Sequence, residues 1–164
     1  MMGANYVLDT NFSADVVIME EGTELLNRIK DKHSVMPMFT SCCPGWVSFV
    51  EQHRPEMLDH LSTTRSPQAV LSSLAKTWLP EKIGAEPSKI RVISIMPCTA
   101  KKIEAGRPQL AKDGVPDTDL VLTVRELARL FKSRGIDLKE IEDGEFDTPF
   151  MSRGSGAGVI FGKS

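Results

Sequence analysis

Three cysteines carry the chemistry that this sequence can be asked about first: Cys42 and Cys43, side by side ahead of Pro44-Gly45, and Cys98, directly after Met96-Pro97. An odd number suits a disulfide scaffold poorly, and a bridge between chain neighbours would be strained. The thiols are therefore read as reduced, in a reducing compartment. Four uses compete for them. A cysteine can simply be a small buried hydrophobe, but Cys42-Cys43-Pro44-Gly45 is a turn rather than an apolar face. A nucleophilic thiol wants a nearby base, and none of His33, His53 and His60 stands at a matching spacing. Zinc ordinarily wants three or four ligands with close pairs, and there is no C-x-x-C. An iron–sulfur cluster wants thiolates and tolerates wide spacing, and two well-placed thiols make half a set. On residue chemistry alone the choice stays open between a soft metal and a structural role.

The elements that must hold these thiols follow from periodicity. Residues 12–32 read as a helix, with Phe12, Val16, Met19, Leu26 and Ile29 near one face. Gly22 weakens its middle by about 1 kcal/mol relative to alanine. Residues 36–40 form a short apolar run that leads into Ser41-Cys42-Cys43. Pro44 suits the first position of a helix, because its missing N–H would be unpaired there. That helix carries Trp46, Val47, Phe49 and Val50 and stops near Pro55. Ser66-Pro67 opens another in the same way, to about Trp78. The stretch KIRVISIM, 89–96, is a buried-strand candidate, and 119–122 is a second. Thr123-Val124-Arg125-Glu126 is a capping box that opens a helix to about Arg134, with Gly135 as its stop.

Alternating strands and helices predict an α/β fold with parallel strands. Both cysteine sites then fall just past the carboxyl end of a strand, the edge at which open α/β sheets gather ligands. The thiols at 42–43 and 98 are expected to face one crevice, and a thiol at a helix amino-terminus meets N–H groups that favour a thiolate.

Composition narrows the classes. The 164 residues fit one domain, and 41% hydrophobic with 26% charged residues is globular rather than disordered. A net charge of −2 with scattered basic residues leaves no footprint for nucleic acid. No apolar run approaches the roughly 20 residues of a membrane span. The chain start has no basic segment followed by an apolar stretch, so no secretory signal is expected. The stretch 157–164 (AGVIFGKS) fits a relaxed phosphate-loop pattern, but Ala157 stands where the strict form wants glycine and the loop would be apolar. Its glycines are better read as close backbone approach to a cofactor or a tight turn.

Two segments carry a family resemblance. Thr40-Ser41-Cys42-Cys43-Pro44-Gly45-Trp46 and Met96-Pro97-Cys98-Thr99-Ala100-Lys101-Lys102-Ile103-Glu104 resemble the first and second signatures of the catalytic domain of [FeFe]-hydrogenases. Ser66-Pro67-Gln68 between them matches too, and residues 150–162 resemble the segment downstream. The similarity runs from near Tyr6 to Gly162. It implies the H-cluster: a [4Fe–4S] cubane joined through a cysteine to a two-iron unit with CO, cyanide and a dithiolate bridge, where protons and electrons interconvert with dihydrogen. By the same resemblance Cys43 and Cys98 ligate the cubane, and Cys42 relays protons to the two-iron unit. Lys101 donates to a cyanide, while Met96, Gln68 and Phe161 wall the pocket. A proton route through Glu24, Glu21 and Ser62 carries over as well. The two glutamates stand three apart on one predicted helix, so they are surface neighbours able to pass a proton if burial lifts a pKa.

The match is also partial. The third signature, with two further cysteines including the bridging one, is missing, as are the upstream covering loop and the C-x-x-C repeats of accessory clusters. Residues 1–164 are accordingly expected to be an incomplete domain. Holding two cubane thiolates of four, they should carry an incomplete H-cluster or none, and be inactive alone. The resemblance implies an electron carrier such as ferredoxin and maturation proteins as partners. The compartment expected is the cytoplasm, reducing and anaerobic, with the periplasm as the alternative. Two rival readings are a hydrogenase-like iron–sulfur carrier of the assembly machinery and a hydrogen sensor. The first usually lacks the doubled cysteine, and the second often alters the proton route, so Cys42, Glu21, Glu24 and Ser62 discriminate.

Overall fold

A computed structural model of the chain describes residues 3–148, 150 and 155–159. It divides into two compact units, one of Thr10–Leu71 with Gly154–Ser164, the other of Met1–Asp9 with Ser72–Arg153.

The first unit is built on α1 (Thr10–Lys30) and α2 (Pro44–His53), with a 3-10 turn over Pro55–His60. α1 starts and ends two residues before its expected bounds, and the face it buries is not the expected one. Ser13, Ala14, Val17 and Glu21 are buried, whereas Met19, Leu26 and Ile29 are 73%, 58% and 61% exposed. Two interactions select the inward face. Gly158 packs so tightly on Ala14 that a Cβ built there would lie 2.7 Å from the alanine's own. Further along, Glu24 and Arg28 bind the backbone of the segment 59–63. Small residues and a polar network thus turn inward and leave the apolar stripe in water. The apolar run 36–40 forms a single parallel bridge, Phe39 to Leu61, rather than a strand. Pro44 opens α2 as expected, and α2 ends just ahead of Pro55. Phe39, Trp46 and Phe49 line up on its outer side, with centroids about 6 Å apart.

Helix α3 (Pro67–Ile83) starts in the first unit and carries the chain into the second. It runs past Trp78, its expected end, with Pro80 inside it. Trp78 stacks on Phe150 at 5.2 Å, Lys82 lies 4.5 Å over the same ring, and Leu79 is buried. These interactions hold the last turn despite the N–H that proline lacks.

The second unit contains β1 (Ile93–Met96), α4 (Ala100–Ala105), a hairpin of β2 (Ala111–Lys112) and β3 (Val115–Pro116), β4 (Leu120–Thr123) and α5 (Val124–Ser133). β1 and β4 pair in parallel, Ile93 opposite Leu120 and Met96 opposite Thr123. Only the last half of KIRVISIM is strand; its first residue, Lys89, ends the 3-10 turn Pro87–Lys89. The hairpin was not anticipated. Asp113 and Gly114 both take positive φ (53° and 78°), the geometry that a two-residue Asp-Gly turn prefers. The capping box forms as expected: Thr123 Oγ1 accepts from Glu126 N at 3.1 Å, and Glu126 Oε2 from Thr123 N at 2.7 Å. The Lys102 ammonium and these bonds hold the Glu126 carboxyl down at about 2. Gly135, at φ 66°, follows the helix end.

Asp119 sets where the strands begin. Its carboxylate accepts from Val92 N at 2.7 Å and pairs at 2.8 Å with Lys76, whose side chain is 7% exposed. Its own N–H donates to Val92 O at 3.0 Å. Replacing Asp119 by alanine would leave a buried ammonium without its counter-charge, a class of change that costs about 3 kcal/mol or more. Asp119→Ala should therefore lower unfolding stability by about that amount in denaturant titration, and a loss below about 1 kcal/mol would contradict the pairing.

Candidate functional site

The residues singled out by type and spacing fall into two clusters, one in each unit. In the first unit the cysteine turn is strapped to a neighbouring segment. Phe39 N donates to His60 O and Ser62 N to Phe39 O, each at 2.7 Å, and Ser41 Oγ donates to Thr64 O at 2.8 Å. The chain between these bonds and α2 is Cys42-Cys43, with Cys43 exposed at the N-cap position and Cys42 half-buried. All three cysteines are free of disulfides.

The segment 59–64 is in turn gripped by α1. Arg28 donates to Glu24 Oε1 through Nε at 3.0 Å and Nη2 at 2.7 Å. The same guanidinium reaches Asp59 O at 2.9 Å, Leu61 O at 2.8 Å and Val35 O at 3.3 Å. Glu24 Oε2 accepts from Ser62 Oγ at 2.9 Å, Thr63 N at 3.0 Å and Thr63 Oγ1 at 3.2 Å. Arg28 and Thr63 were not anticipated. The signal for Arg28 was its place four residues after Glu24, the spacing of a helical ion pair.

Glu21 and Glu24 are brought together as expected, and their environments pull them apart. Burial pushes the Glu21 carboxyl up, aided by the nearby Glu24 charge and opposed by the Ser41 N–H and the neighbouring Ser62 hydroxyl. Its Oε1 has no hydrogen-bond partner among the described residues. Burial also pushes Glu24 up, but the bonds from Arg28, Ser62 and Thr63 outweigh it and leave that carboxyl below its usual range. Ser62 stands between them with one proton to give. Its hydroxyl donates to Glu24 and accepts from Thr64 N at 3.1 Å, which leaves a lone pair for a proton on Glu21. Two carboxyls beside one hydroxyl, with pKa values driven in opposite directions, are an arrangement chemically able to hand a proton from Glu24 to Glu21. Glu24 also lines an open groove of about 380 Å³, with Glu20, Arg28, Asp31 and Thr63 among the other lining residues.

In the second unit Met96, at the end of β1, is buried and Cys98 follows half-buried. The Lys101 ammonium lies 3.1 Å from Glu104 Oε2, with side chains 12% and 9% exposed. Glu104, unanticipated although it sits in the quoted segment, offsets the cost of holding a charged lysine in a nearly dry place. Gln68, at the start of α3 in the first unit, is 2% exposed. Phe161 lies outside the described residues. Of the two uses expected of the glycine-rich stretch, the tight turn is seen at Gly156, with φ at 89°, and Gly158 lies against Ala14 and Asn11 of α1. Soft thiols and a nearly buried ammonium suit an anionic iron–sulfur group.

A raised carboxyl pKa means that the folded state binds the Glu21 proton more tightly than the unfolded chain does. That preference favours folding at low pH and is lost as pH rises through the folded value. Glu21→Gln, which mimics the protonated form, should match the parent melting temperature near pH ~4 and exceed it increasingly toward pH ~8. A parent that gains on the variant with rising pH would reverse the assignment.

The family model for the iron only hydrogenase large subunit, in its C-terminal domain, matches residues 1–164. Iron hydrogenase 1 of Clostridium pasteurianum is 48% identical over 161 residues, covering 98% of this chain and 28% of that protein. The periplasmic [Fe] hydrogenase large subunit of Nitratidesulfovibrio vulgaris is 44% identical over 98% of this chain and 38% of its own length. Cytosolic iron-sulfur assembly component 3 of Bos taurus is 34% identical over 96% of this chain and 36% of its length. The chain thus spans little more than a third, at most, of each of these relatives. Among solved structures, the apo [FeFe]-hydrogenase of Chlamydomonas reinhardtii superposes with a TM-score of 0.88 at 42% identity, over 95% of this chain and 40% of that one. The two signatures, the parallel β1–β4 pair and these matches lead to one statement: the chain belongs to the family formed by the C-terminal domain of the iron-only hydrogenase large subunit.

Proposed function

We propose that this chain forms part of the catalytic core of an [FeFe]-hydrogenase, which interconverts protons and electrons with dihydrogen. The observation that carries the reading is the Glu21–Ser62–Glu24 array, strapped to the segment that bears the doubled cysteine. A carrier of iron–sulfur clusters would need thiolate ligands but no proton wire. That alternative has one observation in its favour, the match to iron–sulfur assembly proteins.

In this reading Cys43 and Cys98 are the thiolate ligands of a [4Fe–4S] cubane. Cys42 is the thiol that relays protons to the two-iron unit, and Lys101 donates from its ammonium to an anionic diatomic ligand. Met96, Gln68 and Phe161 exclude water from the pocket. When bound, the H-cluster supplies the electrons and the metal at which hydrogen chemistry occurs. The chain itself moves the proton. Hydronium from solvent in the groove protonates Glu24, leaving water. Ser62 gives its proton to Glu21 while taking one from Glu24, and Glu21 passes it toward Cys42. Electrons come from a carrier such as ferredoxin, and maturation proteins install the metal. The proposed setting is anaerobic, reducing and cytoplasmic, with the periplasm as alternative. No helix among the described residues is long and apolar enough to cross a membrane.

In a complete family enzyme carrying this segment, Cys42→Ala should cut dihydrogen evolution by about 100-fold or more, the usual worth of a positioned acid or base. Iron content and the cubane's spectroscopic signal should persist. Loss of the cubane would reverse the roles within the cysteine pair, and unchanged turnover would favour the carrier. Cys42→Asp should be milder, since a carboxylate still carries a proton.

Replacing Lys101 by asparagine should block retention of the two-iron unit and spare the cubane. If infrared CO bands from the two-iron unit survive that change at parent intensity, Lys101 has another task.

A further inference from the structure

One charged side chain on α1 is used by none of this. Asp15 lies on α1 ahead of the buried Glu21, and its carboxylate reaches across to the glycine-rich loop. Oδ1 accepts from Gly158 N at 3.0 Å, and Oδ2 accepts from Ser155 N. We infer that Asp15 is a positioning residue: by seating the loop 155–159 on the first turns of α1, it anchors the chain just ahead of Phe161, which the family resemblance assigns to the cofactor pocket wall. The inference rests on the proposed hydrogenase reading for its second half, and on geometry alone for its first.

The seat is specific. Ser155 Oγ accepts from Ala157 N at 3.2 Å, and Gly156 takes a φ of +89°, so the loop turns tightly into the 3-10 helix Ala157–Val159. The leading N–H groups of such a turn need an acceptor, and 140 residues of sequence separate Ser155 from the one it finds. The Ser155 N–H holds the Asp15 carboxyl below its ordinary range, so it stays ionised and accepting throughout the working pH range. Gly158 then fits because it lacks a Cβ: one built there would lie 2.7 Å from Ala14 Cβ and 3.0 Å from Asn11 O. A carboxylate grips the loop and a missing side chain lets it close. From Val159 the chain runs on to Phe161, the residue that the family resemblance assigns to the pocket wall. One helix therefore holds the loop 155–159 at its start and the Glu21–Ser62–Glu24 array further along.

The test uses a complete family enzyme carrying this segment. Backbone amide exchange is measured on the iron-free protein, and retention of the two-iron unit on the loaded one. Asp15→Asn keeps the size but presents an amide N–H to one of the two donors. It should raise exchange at Ser155 and Gly158 at least tenfold. It should also speed loss of the infrared CO bands several-fold, with the cubane signal intact. Gly158→Ala, which keeps Asp15 but fills the seat, should reproduce both effects. Unchanged loop exchange in Asp15→Asn overturns the clamp. A loosened loop with parent-like retention of the two-iron unit overturns its bearing on the pocket. Loss of the CO bands in Asp15→Asn but not in Gly158→Ala would mean that Asp15 acts by its charge and not by seating the loop. Should the unsubstituted enzyme hold no two-iron unit at all, the hydrogenase reading fails, while amide exchange still decides the clamp.

Discussion

The grip of Arg28 is the interaction on which the first unit hangs. One guanidinium spends its donors on Glu24 and on the carbonyls of Val35, Asp59 and Leu61. Those carbonyls belong to two segments outside the α-helices and the paired strands. Through Leu61 it fixes Ser62, and through the Phe39 bridge it fixes the approach to Cys42 and Cys43. A lysine could not do this, because the task needs several donors in one rigid plane. The same grip lowers the Glu24 pKa, so the structural clamp and the more acidic carboxyl of the proposed proton route are a single group.

The second unit solves a parallel problem differently. Its buried lysines each sit against a carboxylate: Lys76 with Asp119, Lys101 with Glu104. The first pair pins the beginning of two parallel strands. The second holds a nearly buried cation three residues after Cys98. β1 meanwhile buries Ser94 and Met96 and leaves Ile93 and Ile95 outward, with Leu120 opposite Ile93. Its inner face is thus polar and sulfur-bearing where the cysteine follows.

Local rules were legible wherever local chemistry decides. Pro44 opened α2, the capping box opened α5, and Gly135 followed its end, each as its residue types require. The parallel strand pair was legible in kind, though KIRVISIM yielded only its last four residues because Pro87 and Asp119 set the strand's start. α1 was legible as a helix and misread as to its face, since hydrophobicity pointed to Met19, Leu26 and Ile29 while Gly158 and the segment 59–63 chose the other side. The Asp-Gly hairpin was available in the sequence and passed over. Of the candidate site, the nearness of Glu21, Glu24 and Ser62 was legible, because two signatures stand in register and the glutamates share a helix face. Arg28, Thr63, Glu104 and Asp15 were not, because their roles depend on partners across the chain or on burial that spacing does not reveal.

Helix α1 also has a consequence for how such a protein can change over evolutionary time. Asp15, Glu21, Glu24 and Arg28 serve four tasks from one rod, with positions set by a rise of about 1.5 Å and a turn of about 100° per residue. Substitution on the outward stripe of Met19, Leu26 and Ile29 touches none of them. A single inserted or deleted residue near Gly22 would leave Asp15 in place and swing Glu24 and Arg28 by more than a quarter turn, away from Ser62 and the segment they hold. Such a helix should drift freely in composition on one side while its length stays frozen.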